Sequence, residues 1–390
     1  MTSGTVAPGP DNHPMRLPPF RIEEYYGKYE FTTRYMLSSS DCESRTIGDL
    51  LALEPGAHDD LLAHWCGYTE SQGAPWLREA VAALYERIDP ADVLIVDSAE
   101  EGIFLAYHAL LGPEDHAVVE TPCYQSALDL ARSTGAAVSE WRRGYGDGWA
   151  LHLDELERLV RPNTRLLYLN EPHNPTGTLM DRATYGQVAE LADAHGILLF
   201  NDEVYRELEH EPARRLPAAC DVGRQAISLG SMSKTYGLPG LRLGWLVTRE
   251  PRLREAMLGL RLYTTICSSA PSEYLTALAL RNRDVLVQRN LGIVRDNLRR
   301  LDAFFERRSD LFEWVRPNAG PIGFPRLRPD LDVDAFCEHL ATTAGVLLLP
   351  GSVYDQLRHV RVGFGRANMA EALERLDRHL ETVDGSLRPD

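Results

Sequence analysis

No stretch of this chain is apolar for long enough to cross a bilayer as a helix, so a membrane-spanning protein is not expected. Its first residues, MTSGTVAPGPDNHP, lack the basic start and apolar core of a secretory leader. Residues 1–14 therefore read as a flexible tail and export is not expected. Positive charge is in deficit: 41 Lys plus Arg face 57 Asp plus Glu, a net charge of −16. That balance repels polyanions and argues against nucleic-acid or anionic-membrane partners. Cysteine is sparse and scattered. Its six copies (Cys42, Cys66, Cys123, Cys220, Cys267 and Cys337) form no CxxC pair and have no histidine cluster beside them. Neither a metal site nor a disulfide framework is expected, and the thiols read as those of a reduced, cytoplasmic protein.

What the chain does have is 390 residues, 44% of them hydrophobic, enough for about two or three domains' worth of core. Between Val93 and Val247 the apolar runs VLIV, AVVE, RLLYLN, ILLFND, AISLG and LGWLV alternate with amphipathic stretches. Such alternation predicts a mostly parallel sheet covered on both faces. The spacing of Tyr185, Val188, Leu191 and Ala192 predicts one covering helix over residues 181–195. Beyond residue 285 the texture changes. Leu291, Val294, Leu298, Leu301 and Phe305 mark one face of a long helix. It leads into a smaller α+β region, with strand candidates FEWV, GPIGFPRL, VLLLPG and VRVGFG. The boundaries read as an N-terminal arm over 15–45, a large domain over 46–285 and a small one over 286–390.

The segment SMSKTYGLPGLRLGW raises the question of what Lys234 does. A phosphate loop of the Walker type is excluded, because the glycines it needs are replaced by Ser233 and Ser228. Ligands of open parallel sheets lie at the carboxyl ends of the strands, where DSAEEG, TPCYQS, NEPHNPTG and NDEVYRE sit. A desolvated lysine there has a lowered pKa and suits imine formation with an aldehyde cofactor. Pyridoxal phosphate needs a carboxylate at its ring nitrogen, donors at its phenolic oxygen, a phosphate cradle and a stacked aromatic. Asp202, then Asn174 with Tyr205, then Ser231 with Arg242, and finally Tyr124 are the candidates in that order.

The blocks NEPHNPTG, NDEVY and SMSKTYGLPGLRLGW resemble the signatures of fold-type I, class I and II aminotransferase-like pyridoxal phosphate enzymes, and the likeness spans nearly the whole chain. It implies the PLP-transferase fold, an α/β architecture with a mostly parallel sheet and a smaller α+β domain. It also implies Lys234 as the imine-forming lysine and proton shuttle, and Arg361 in HVRVGFGR as the arginine for the substrate α-carboxylate. Tyr68 in GYTESQGAPWLRE resembles the tyrosine that reaches the neighbouring subunit's phosphate, which implies a homodimer with shared sites. One departure is Ser98-Ala99-Glu100-Glu101-Gly102 at the phosphate-loop position. Backbone N–H groups at Ala99 and Glu100 still serve an anion at a helix start, but the Glu100 carboxylate repels one and is expected to turn elsewhere.

The reaction is not chosen by the fold. The segment LSSSDCESRTIGDLLALEP, residues 37–55, resembles the entry segment of capreomycidine synthases, which cyclise a hydroxylated arginine with loss of the β-hydroxyl. That resemblance implies α-proton abstraction, loss of a β- or γ-substituent, and addition or cyclisation. Ordinary transamination is the alternative, and a non-catalytic ligand sensor a third reading that the net charge disfavours. Asp41, Glu43, Glu100 and Glu171 form an acidic set at these loops and suggest a cationic or arginine-derived L-amino acid, with Ser40, Asn174 and Arg361 as further substrate contacts. His173 is a further candidate as a ring neighbour or an acid for a leaving group.

Overall fold

The computed structural model describes residues 17–328 and 331–383, and the tail expected over 1–14 lies outside them. Seven strands form the central sheet: β1 (Val93–Val96), β2 (His116–Thr121), β3 (Ala137–Arg142), β4 (Thr164–Asn170), β5 (Leu198–Asp202), β6 (Ala226–Ser231) and β7 (Gly244–Val247). Their order is β1-β7-β6-β5-β4-β2-β3, and β7 runs against both of its neighbours while the other pairs are parallel. The six apolar runs of the sequence supply six of these strands. The seventh, β3, is AVSEWR at the sheet edge, where only Trp141 is fully buried.

Burial on both faces explains the unbroken apolar runs, since parallel strands between helical layers need no polar side. The helix Arg182–His195 illustrates the covering layer. Asp181 caps it through the Ala183 and Thr184 N–H groups, Tyr185, Val188 and Ala192 face inward, and Gly196 ends it in the left-handed region.

The antiparallel β7 brings two strand ends together. Val96 and Ser231 both pair with Gly244, so the helix opened by Ser98 and the loop carrying Lys234 start side by side. A Cβ at position 244 would meet the Gly230 carbonyl oxygen at 2.8 Å and the Ala99 nitrogen at 3.3 Å, which leaves room for glycine alone.

The long helix predicted after residue 285 spans Arg283–Arg307 and buries the expected apolar face. Two asparagines on that face tie distant parts together. Asn290 donates to the Thr235 carbonyl at 2.8 Å, and Asn297 donates to the Phe364 and Arg366 carbonyls at 3.0 and 2.7 Å. A three-stranded sheet of Leu349–Pro350, Val360–Gly363 and Ile322–Gly323 follows, with a two-stranded piece from Phe312–Glu313 and Arg326–Leu327. The N-terminal helix Arg21–Tyr29 and the segment after it fold back over the sheet's carboxyl edge. Gly363 donates to the Leu37 carbonyl and a Cβ there would stand 1.8 Å from the Ser39 carbonyl oxygen. Ser39 to Asp41 are thereby wedged between the small sheet and the lysine loop.

Candidate active site

The carboxyl ends of β1, β4, β5 and β6 open into one cleft of about 460 Å³. Lys234, Asp202, Tyr205, Asn174, Ser231, Arg242, Tyr124, Ala99, Glu100, Arg361, Ser40 and Asp41 all line it. Sequence reasoning therefore gathered residues up to 321 positions apart, from Ser40 to Arg361, into one site.

Lys234 is half-buried at the base of the cleft, desolvation there lowers its pKa, and its Nζ donates to Ser40 Oγ at 2.8 Å. Asp202 ends β5. Its carboxylate accepts only the Val204 N–H at 3.2 Å and the Tyr168 hydroxyl at 3.3 Å, and burial pushes it up to about 7. An acid so placed is stabilised as its anion by a cation such as a protonated ring nitrogen. The Tyr205 hydroxyl is buried and makes no hydrogen bond of normal geometry, Ser40 being its polar neighbour. A buried hydroxyl left in that state calls for an acceptor.

Anion-binding groups stand at the other end. Ser231 and Ser233 are bonded to each other at 3.0 Å. Arg242 holds a left-handed backbone, φ 48°, and its guanidinium meets the Pro239 carbonyl at 3.0 Å with no acid in salt-bridge reach among the described residues. Beside it starts the helix Ala99–Leu110, capped by Ser98, whose first N–H groups have no partners within the helix. The set fits pyridoxal phosphate: a desolvated amine, a carboxyl for the ring, an unbonded phenol and a phosphate cradle.

Arg361 is 1% exposed and likewise faces no carboxylate. Its Nη1 donates to the Tyr354 hydroxyl at 2.5 Å and Asn174 Oδ1 at 3.2 Å; Nη2 donates to the Tyr26 hydroxyl at 2.6 Å and the Ser38 carbonyl at 2.9 Å; Nε has no partner. A guanidinium taken out of water with neutral partners alone is poised for an anionic ligand.

Three expectations are corrected, those for Glu171, Glu43 and His173. Glu171 is not in the cleft. It is buried beneath it, bonded to Arg143, which also holds Glu120, and burial raises both acids against the pull of that cation. A loop carboxylate looks the same in sequence whether solvated or buried, and the arginine that claims it lies 28 positions away. Asp41 does line the cleft, but both its oxygens accept Arg366 Nη2 at 3.0 Å, so its charge is already matched. Glu43 lies outside the cleft lining and accepts the Ala367 N–H. His173 is fully buried between the Thr176 hydroxyl and the Pro122 carbonyl and is held neutral by burial, which leaves it no access to a leaving group.

Glu100 does turn from the anion cradle: it accepts the Ser126 hydroxyl at 3.0 Å, and burial raises it to about 7. Tyr68 is 84% exposed and takes no part in this chain's own cleft. Sequence reading missed Glu23, Tyr26 and Glu30 from the N-terminal helix and its end, together with Asn170 and Arg366. Tyr124 donates to Glu23 at 2.7 Å, so that helix is part of the wall. Asn170 and Arg366 lie inside the blocks NEPHNPTG and HVRVGFGR, which were read for Asn174 and Arg361, while no local motif marks the other three. One overlooked signal was available, since the chain has just two lysines, Lys28 and Lys234.

Comparison with known proteins agrees with this geometry. The model of the aminotransferase class I and II family matches residues 62–378. Capreomycidine synthase of Streptomyces vinaceus is 33% identical over 379 residues, 95% of each chain. Arginine–pyruvate transaminase of Pseudomonas aeruginosa is 29% identical over 82% of this chain and 84% of that one. Among solved structures, a PLP-dependent aminotransferase from Streptococcus suis superposes with a TM-score of 0.90 at 30% identity, covering 96% of this chain and all of that one. The PLP-dependent cyclase OrfR gives 0.87 at 29% identity, covering 95% and 99%.

Proposed function

The chain belongs to the class I and II aminotransferases and is a pyridoxal phosphate-dependent enzyme of amino-acid chemistry; from that premise we propose that it removes the α-proton of a cationic L-amino acid, expels a β- or γ-substituent and closes a ring. The observation that carries the substrate class is a charge balance. Glu23, Glu30, Asp41, Glu100 and Asp202 line the cleft against Lys234, Arg242, Arg361 and Arg366. Asp41 is matched by Arg366. With Asp202 given to the ring, Arg242 to a phosphate and Arg361 to the α-carboxylate, Glu23, Glu30 and Glu100 remain with no ion pair among the described residues. A guanidinium or ammonium side chain supplies the missing positive charge. The arginine–pyruvate transaminase relative, whose name states an arginine substrate, supports that choice.

When bound, the cofactor supplies the electron sink that makes the α-hydrogen acidic. This chain's residues do the rest. Arg361 clamps the carboxylate through its fork, which fixes the α-carbon over the lysine amine. Burial lowers the pKa of Lys234 and so favours its neutral amine, whose Nζ takes the α-proton, with Ser40 Oγ steering it. Asp202 would hold a proton at the ring nitrogen, and Asn174 and Tyr205 would supply the phenolic contacts.

Tyr68 is assigned to the partner's phosphate in a homodimer. In support, Leu62, Trp65, Tyr68, Tyr263 and Ile266 are all at least half exposed, a density of apolar surface that a second copy would cover. Among the described residues no helix is long and apolar enough to cross a membrane. We place the enzyme in the cytoplasm.

The test is incubation of the purified enzyme with arginine and with hydroxylated arginines. A cyclic product formed without a keto acid supports the proposal. Keto acid with stoichiometric pyridoxamine phosphate as the sole outcome replaces it with transamination, the reading favoured by the arginine transaminase relative.

A further inference from the structure

The cleft rests on a buried amide that opens the NEPHNPTG block and that the proposed chemistry does not use. Asn170, 4% exposed, ends β4 opposite Asp202 of β5. Its side chain bonds in two directions: Nδ2 donates to the Asp202 carbonyl at 2.8 Å, and Oδ1 accepts the Asn174 N–H at 2.8 Å. Asn174 in turn presents its own Oδ1 to Arg361 and Tyr354, both at 3.2 Å. One planar amide is thus bonded to the backbone of the ring acid and, through a single further residue, to the carboxylate arginine.

The amide is itself anchored. The Asn170 N–H donates to Glu120 Oε2 at 2.8 Å, and the other Glu120 oxygen is held by Arg143. Arg143 reaches on to Glu171 and to the Trp149 carbonyl at 2.9 Å; Glu171 accepts the Met180 N–H at 3.0 Å and donates its own N–H to Asn201 Oδ1 at 3.0 Å. Arg143, Glu120 and Glu171 are all at most 2% exposed at the side chain. Two acids around one cation, tied also to the Asn170 and Met180 N–H groups and the Trp149 carbonyl, make a rigid base.

We propose that Asn170 is a positioning residue that sets Asp202 and the Asn174–Arg361 pair in one fixed relation, and that the Glu120–Arg143–Glu171 cluster beneath holds it there. Ring acid and carboxylate clamp then move together or not at all. The proposal rests on the reading that Asp202 and Asn174 face the cofactor.

Two readouts on the holoenzyme test it. The pH midpoint of the bound cofactor's visible band reports the ring environment, and the apparent Kd of 2-methylalanine, which has a carboxylate but no α-hydrogen, reports Arg361. Asn170→Ala is expected to move the midpoint by about half a pH unit or more and to weaken 2-methylalanine about fivefold, the size of one neutral hydrogen bond. Asn170→Asp keeps an oxygen for the Asn174 N–H and loses the donor to Asp202. It is expected to move the midpoint while 2-methylalanine binding stays within about twofold. Leu376→Ala, a core truncation in the helix Met369–Val383, controls for lost stability and should move neither.

If Asn170→Ala leaves both readouts at the parent values while Asn174→Ala and Asp202→Asn shift them, the positioning role is wrong. If those two direct variants also shift nothing, it is the underlying site reading that fails. Should Asn170→Ala not fold, Asn170→Asp decides: a loss of 2-methylalanine affinity beyond about fivefold overturns the split between the two bonds.

Discussion

Lys234 and Lys28 are the chain's only lysines, and Lys28 lies exposed in the N-terminal helix. Borohydride reduction of the holoenzyme followed by peptide mapping is therefore a two-way choice, and the label is expected at 234; label at 28, or none, rejects the assignment. Arg361→Ala should raise the Kd for amino-acid ligands at least about thirtyfold, the low end of the 2 to 5 kcal/mol typical of a desolvated charge pair broken from one side. Burial pushes Glu100 and Asp202 up to about 7 from their ordinary 4.5 and 3.8, so these two acids hold more protons in the folded apoenzyme than in the unfolded chain. Their contribution to stability is then greatest at low pH and declines as pH rises from about 4 through about 7. Glu100→Gln should flatten that decline and leave the apoenzyme more stable than the parent at pH 8, read from urea midpoints; an unchanged slope contradicts the burial of Glu100. At this scale the residues on motifs were legible, because strand ends concentrate chemistry. Whether an acid such as Glu171 is free or already claimed was not, because its partner is set by folding and not by spacing.

Elements were legible in proportion to their apolar pattern. The buried strands and the helix Arg283–Arg307 announced themselves by runs and periodicity. Strand β3 did not, since at the sheet edge Ser139, Glu140 and Arg142 are only partly buried or exposed and the run is broken. The helix Arg21–Tyr29 was missed for a similar reason. Its sequence RIEEYYGKY buries only Ile22, and its hold on the site comes from hydroxyls: Tyr26 on Arg361 and Ser38, Tyr25 on the Leu348 carbonyl. In the long helix, Leu298→Ala, at a 1% exposed position, should destabilise the protein by about 2 to 5 kcal/mol in denaturant unfolding, whereas Val285→Ala on its half-exposed face should cost far less.

At the scale of the whole molecule, the exposed aromatics of residues 62–76 and 262–266 adjoin one another, since Arg261 bonds the Ser71 carbonyl. Trp65→Glu with Tyr263→Glu should shift sedimentation from dimer to monomer and weaken cofactor retention, because Tyr68 would lose its neighbour; a double variant that still sediments as a dimer places the interface elsewhere. A different consequence follows from Arg361 lying on the small sheet while Lys234 lies in the loop that leaves the large one. An amino acid gripped at nitrogen by one half of the protein and at carboxylate by the other acts as a crosslink between them. Amines, amino alcohols and amino amides would be tethered at a single point, free to swivel about it. The enzyme should thus discriminate against decarboxylated analogues through lost orientation even where they react with its aldehyde.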